Sequence, residues 1–141
     1  MSLLSRKSLL AIAAVVDVAL NARDHPISAQ SLARRHNLPP RHLEPVLQAL
    51  VRDGIFLGVR GPRGGYQLSR ERRRISVADI LRAAGTVEET DAAGMPNSRI
   101  LDDVVLPAIN DAERAFATTL SRLTIEDLAR RAEAHGERGG R

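Results

Sequence analysis

Residues 40–68 read PRHLEPVLQALVRDGIFLGVRGPRGGYQL, and the fold turns on Gly54 in the middle of that stretch. Before it, Leu43, Val46, Leu47, Leu50 and Val51 recur at steps of three and four, the spacing of one apolar helix face, while Arg41, His42, Glu44, Gln48 and Arg52 fall mostly on other faces. Pro40 suits the first helical position, and Pro45, which lacks an N–H, predicts a bend. Beyond Gly54 the period drops to two. Ile55, Leu57 and Val59 alternate, as do Tyr66 and Leu68, across the tip Arg60-Gly61-Pro62-Arg63-Gly64-Gly65. The stretch is a helix followed directly by a β-hairpin whose long tip carries glycines and arginines.

Upstream, Leu9, Leu10, Ala13, Val16, Ala19 and Leu20 predict one apolar stripe on a helix from about Leu4 to Ala22, ended by Arg23-Asp24-His25-Pro26. Ser28 is placed to cap a short second helix ending near His36, and Ile27 to staple it by packing on Leu32. Asn37-Leu38-Pro39-Pro40 is then a tight turn into the third helix. Two helices joined by a tight turn and followed by a hairpin form a winged helix-turn-helix. The expected fold class is mainly α with a small β-hairpin wing.

Downstream, Ser76 and Asp79 form a capping box for a fourth helix that ends at Gly85, with Ile75 and Ile80 as its staple. Residues 86–100 have no usable periodicity and read as an exposed loop. From Leu101 to Leu123 a narrow seam runs through Val104, Ala108, Ala112, Phe116 and Leu120 on a long helix, with Pro107 a kink or a fresh start. Thr124 and Asp127 open a last short helix, and Glu137 to Arg141 is a frayed tail. The expected organisation is a DNA-binding domain over 1–85, a loop over 86–100, dimerisation helices over 101–135 and a tail over 136–141. The seam suits a two-fold helix pair, and equally suits packing inside one subunit.

A chain of 141 residues has room for one core, and with aromatics at 2% and no tryptophan that core is aliphatic. Residues 1–85 carry 14 Lys and Arg against 6 Asp and Glu, net +8, whereas residues 86–141 carry 7 against 11, net −4. The basic half is the part that would meet a polyanion. The absence of cysteine excludes disulfides and thiolate metal sites. Arg6-Lys7 before an apolar run imitates a signal peptide, but Asp17 interrupts it and no run reaches membrane-spanning length. A cytoplasmic protein without membrane contact is expected.

In a winged helix-turn-helix the third helix is the base reader. Arg41 can bond guanine and Gln48 adenine, Glu44 can accept from a cytosine amino group, and His42 lies beside them. The same residues also fit the solvated face of any surface helix. In the wing, Gly61, Gly64 and Gly65 remove side chains so that backbone can approach another molecule, and Arg60 and Arg63 place cations suited to a narrow minor groove. A phosphate loop is excluded, since no Gly-Lys-Ser/Thr follows and the next element is a strand. Ser28, Gln30 and Tyr66 complete the expected DNA-contacting set. Arg70, Arg72, Arg73 and Arg74 touch phosphates or merely solvate the loop, with phosphate contact preferred because the wing is adjacent.

Leu32-Ala33, His42-Leu43-Glu44-Pro45-Val46-Leu47, the wing from Val59 to Tyr66, Ile75 to Ile80 and Leu123 to Leu128 together resemble the Rrf-two (Rrf2) family of transcription regulators, over roughly residues 3–134. The wing motif is the most specific part. The resemblance implies a homodimer held by the long C-terminal helix, with the third helix in the major groove, the wing in the minor groove, and base-reading roles at Glu44 and Arg60. It also implies, for many members, three cysteines in the loop before the long helix that hold an iron-sulfur cluster. Here residues 86–100 contain neither cysteine nor histidine. No cofactor is therefore expected, and the expectation is a cluster-free repressor on an inverted-repeat operator, with a small-molecule effector left open. An enzyme is disfavoured by four scattered histidines and no acid pair or nucleophile-base spacing. The rival is a winged-helix protein-interaction module that has lost DNA binding, against which the retained arginines of the wing speak.

Overall fold

The computed structural model of the chain describes residues 4–84 and 98–138. Helix α1 (Arg6–Asn21) begins at Ser5, whose Oγ accepts the Ser8 N–H at 3.1 Å. Its buried face is Ala11, Ala14, Val15, Val18 and Ala19, whereas Leu9, assigned by periodicity to the inner stripe, is 44% exposed. Almost every position from Leu9 to Leu20 is apolar, so the pattern holds little information about orientation. Packing chooses the face where Ala11 and Ala14 let neighbouring helices approach closely.

Helix α2 (Ala29–Arg35) is capped by Ser28, whose Oγ accepts the Ser31 N–H at 3.1 Å, and helix α3 (Pro40–Arg52) follows the expected turn. In α3 Leu43, Val46, Leu47 and Leu50 are at most 1% exposed, each burial being worth roughly 1.5–3 kcal/mol. They hold the helix against α1, α2 and the hairpin. Asp17 of α1, almost buried, accepts from Arg35 at 2.7 Å and Asn21 at 2.8 Å and lies 3.0 Å from His36. This carboxylate ties α1 to the end of α2.

Strands β1 (Phe56–Val59) and β2 (Gly65–Leu68) pair antiparallel, with Phe56 opposite Leu68 and Val59 opposite Gly65. The alternating set Ile55, Leu57, Val59 does not form an inner face. Ile55 and Phe56 are buried in succession, and Leu57 is 52% exposed. Ile55 precedes the strand and is not bound by its two-residue alternation. Phe56 then packs its ring 5.8 Å from that of Tyr66.

Helix α4 (Val77–Ala84) has the expected capping box: the Asp79 N–H donates to Ser76 Oγ and the Ser76 N–H to Asp79 Oδ2, both at 3.0 Å. The expected loop over 86–100 falls largely outside the described residues, but Arg99 and Ile100 are already helical and Ser98 Oγ accepts the Leu101 N–H at 3.2 Å. A π-helical turn over Leu101–Val105 leads into α5 (Leu106–Arg122). Pro107 explains it. The ring has no N–H for the Asp103 carbonyl, and the register loosens by one residue just before it, the Leu106 N–H donating to the Leu101 carbonyl.

The last helix, α6 (Ile125–Arg138), is longer than expected and continues through residues 136–138. Although α6 is grouped by sequence with the long helix, its Ile125 is fully buried in the common core and its contacts are with α1 and with the 3-10 turn Arg72–Arg74. Backbone bonds from Val77 N–H to Leu123 O and from Ile125 N–H to Ile75 O, both 2.8 Å, stitch its start to the start of α4. Arg72 donates to Glu126 at 2.6 Å, and Arg70, Arg73 and Arg74 lie within 4 Å of Asp79 or Glu71. Arg72 is thus engaged inside the fold, whereas Arg73 and Arg74 remain 69% exposed beside one shared carboxylate, Glu71.

The hydrogen bond from Arg72, helped by Arg130, holds the Glu126 carboxyl below its ordinary range despite some burial. A carboxyl whose native value lies below the unfolded one stabilises the fold above the unfolded value and loses that contribution as pH falls through the native one. Glu126→Gln is expected to lower neutral-pH stability and to flatten the acid limb below the ordinary glutamate range of about 4.3. Urea unfolding midpoints from neutral to strongly acid pH check this; an acid limb as steep as that of the wild type would contradict it.

Candidate nucleic-acid interface

Four of the expected residues lie on the exposed side of one helix, with His42 and Glu44 at its opposite edges. Arg41, His42, Glu44 and Gln48 are all exposed along α3, because the apolar positions between them are consumed by the core. Glu44 lies toward the wing: burial raises the Tyr66 phenol above its ordinary pKa, and the Glu44 charge raises it further. The phenol therefore stays neutral throughout the physiological range.

Arg60, Gly61 and Arg63 are exposed at the wing tip, and Gly64, Gly65 and Tyr66 are half-buried at its base. The close approach expected of the glycines is made by the protein's own backbone. A Cβ on Gly64 would lie 2.1 Å from the Val59 carbonyl oxygen, and one on Gly65, at φ 150°, would lie 2.3 Å from that of Ile27. Tyr66 and Ile27 exchange backbone hydrogen bonds of 2.8 and 3.0 Å, so the wing is pinned to the loop before α2. That pin brings Ser28 next to the wing: Ser28, Ser31 and His25 line one small cleft with Arg63 and Gly64. Ser28 is engaged as the α2 cap, whereas Gln30 is exposed on the first turn of α2.

Sequence reasoning missed one pair. Arg6 and Lys7, read only as an imitation signal region, line the same cleft as Arg41 and His42. The available signal was the absence of any acid in the first turn of α1. Among the described residues, none of Arg6, Lys7, Arg41, Arg60 and Arg63 has a carboxylate within 4 Å. Arg23, Arg35, Arg70, Arg72, Arg73 and Arg74 are paired, whereas Arg34, Arg52, Arg99, Arg122 and Arg131, like the interface cations, have no carboxylate within 4 Å among the described residues.

Helix α5 has no buried residue, and Ile100, Val104 and Ile109 are 70%, 60% and 50% exposed. Within the single chain the expected seam is exposed at Val104, Ala108 and Ala112 and half-buried at Phe116 and Leu120. Between α5 and α4 runs a mostly apolar groove of 570 Å³ containing Leu81, Ile109, Phe116 and Leu120. No helix among the described residues is long and apolar enough to cross a membrane.

A family model, Rrf2, described as an iron-dependent transcriptional regulator, matches residues 4–131. The HTH-type transcriptional regulator IscR of Xenorhabdus nematophila is 29% identical over 132 residues, spanning 92% of this chain and 80% of its own length. Among solved structures, the IscR of T. potens matches with a TM-score of 0.73 at 28% identity, over 93% of this chain and 88% of that one. CymR, the global cysteine regulator of B. subtilis, matches with a TM-score of 0.68 at 27% identity, over 92% and 97%. These relatives are transcriptional regulators, not enzymes, and the interaction-module alternative is not favoured.

The family description implies iron, but the residues present do not fit a cluster. The chain has no cysteine, and among the described residues no group of three or more His, Asp or Glu could hold a metal ion. Iron-sulfur clusters are held by thiolates, two of which imidazoles replace in one known type. With its hairpin wing pinned beside an outward-facing α3 and a match running over nearly the whole chain, the protein belongs to the Rrf2 family of winged helix-turn-helix, DNA-binding transcription regulators.

Proposed function

We propose that the chain is a repressor that binds an inverted-repeat operator as a homodimer, without an iron-sulfur cluster. The observation that carries the interface is the set of uncompensated cations, Arg41, Arg60 and Arg63, around the exposed polar face of α3. Helix α3 enters the major groove with Glu44 and Gln48 on base edges, and the wing tip carries Arg60 toward the minor groove. Residues 1–85 are the DNA-binding unit. Support for the homodimer comes from the apolar residues Ile100, Val104, Val105 and Ile109 at and before the start of α5, which stay largely exposed although α5 packs on α4; a second copy would bury them and the groove beside α4. A two-fold protein with one reading helix per subunit needs a two-fold operator. Repression follows from occupancy alone, since a dimer seated on promoter DNA blocks the polymerase. No pocket is assigned to a small-molecule effector.

Glu44 and Arg63 separate specificity from grip. Glu44 is an anion near phosphates that can accept from cytosine, so Glu44→Ala is expected to relax sequence preference while nonspecific affinity stays or rises. Arg63→Ala is expected to weaken every duplex about equally and to reduce the salt slope by roughly one unit per bound subunit, about two for the dimer. Arg60→Ala falls between them, because groove width depends on sequence. Titration of the variants against an operator and a scrambled duplex at several salt concentrations tests this. Equal loss on both duplexes for Glu44→Ala would remove α3 from the role of base reader.

A further inference from the structure

A second basic cleft lies on the opposite side of α3 from the wing. Arg6 and Lys7, in the first turn of α1, and Arg41, in the first turn of α3, line it with His36, His42 and Pro45, in a volume of 640 Å³. None of the three permanent cations has a carboxylate within 4 Å among the described residues, and neither first turn contains an acid. This arrangement is unfavourable in the free protein. The start of a helix is the positive end of its dipole, so cations there are repelled by the backbone and, at this spot, by one another. Some cations of this chain sit against acids, Arg35 on Asp17 at 2.7 Å and Arg72 on Glu126 at 2.6 Å; what sets Arg6, Lys7 and Arg41 apart is that three unpaired cations line one cleft at two helix starts. A group of anions docking in the cleft would relieve the repulsion.

We infer that Arg6, Lys7 and Arg41 form a clamp for backbone phosphates of the DNA strand that borders the major groove on the α1 side of the reading helix. The inference rests on α3 being that helix. Its basis is position: the cleft adjoins the exposed face of α3, and a helix seated in a major groove has a phosphate row on either flank. The wing tip serves one flank and the start of α1 the other. Gripping both rows fixes the depth and tilt of α3 without reading sequence, which is what phosphate contacts do.

The test is the full chain with Arg6→Gln and Lys7→Gln together, Arg41 being left intact because it belongs to the reading face. Affinity for an operator and for a scrambled duplex is measured across salt concentrations, alongside the thermal midpoint without DNA. Both duplexes are expected to weaken by the same factor, at least about 10- to 100-fold near 0.1 M salt, and the salt slope to fall by about two units per bound subunit, about four for the dimer. The thermal midpoint is expected to stay level or rise, since two charges opposing the α1 dipole are gone. A merely structural role predicts the opposite sign, so a midpoint that falls in step with affinity overturns the clamp. Unchanged affinity and slope, with Arg63→Ala still impaired, overturns the clamp alone. A wild-type protein that binds neither duplex overturns the DNA-reading role of α3 and the clamp with it.

Discussion

Gly65→Ala is expected to unpin the wing, lowering stability by about 3–5 kcal/mol and removing most DNA affinity. The alanine Cβ would stand 2.3 Å from Ile27 O, 2.4 Å from Ile27 C and 2.7 Å from Ser28 N, all backbone atoms that no rotamer change can move aside. It would also force a side chain onto φ 150°. The Ile27–Tyr66 pair must separate, and its two hydrogen bonds contribute roughly 1 kcal/mol each, with backbone strain of about 1–3 kcal/mol besides. Against a total of roughly 5–15 kcal/mol this is a large fraction, and a fall in thermal midpoint of about 10 °C is expected. DNA affinity falls because Arg60 and Arg63 ride on the tip of the freed hairpin. Gly58→Ala is the control: a Cβ there meets nothing within 4 Å. Calorimetry and gel shifts on the two variants check this, and a Gly65→Ala protein as stable as the Gly58→Ala protein would show that the pin does not hold the wing.

The second large effect concerns α5. Val104→Glu with Ile109→Glu puts two charges on an exposed apolar surface, 60% and 50% accessible in the single chain, so the subunit fold has little reason to change. If a second copy covers that surface, the charges are buried without partners on association, and the dimer fails. Operator affinity is then expected to drop by about 10²–10⁴, the gain that linking two binding units supplies, while binding of one half-site per subunit persists. Light scattering and titration against one and two half-sites measure both. A double variant that remains dimeric places the interface elsewhere.

Local signals along the chain were strong and legible. Ser28, Ser76 with Asp79, and Thr124 with Asp127 mark helix starts through bonds made within three residues, and the structure has each of them. The change of period at Gly54 sufficed to place a hairpin behind the third helix, and with it the winged fold. The exposed set Arg41, His42, Glu44 and Gln48 was legible for the same reason, since an amphipathic helix shows which residues it cannot bury.

Tertiary packing decided the rest. In α1 the apolar residues run nearly all round, and only contact with other helices selects Ala11 and Ala14 over Leu9 as the inner face. Arg72 looks like part of a phosphate-binding run until α6 brings Glu126 against it, a partner 54 residues away. Gly64 and Gly65 read as room for a ligand, but the folded chain fills that room with Val59 and Ile27. Arg6 and Lys7 became part of a cleft only when α1 was laid beside the start of α3. Sequence alone determined the elements of this protein and the chemistry available on α3, because caps, periods and turns act over a few residues. Which cations are neutralised, which glycines are filled and which apolar face stays open depended on contacts between distant segments, and those exist only once the chain has folded.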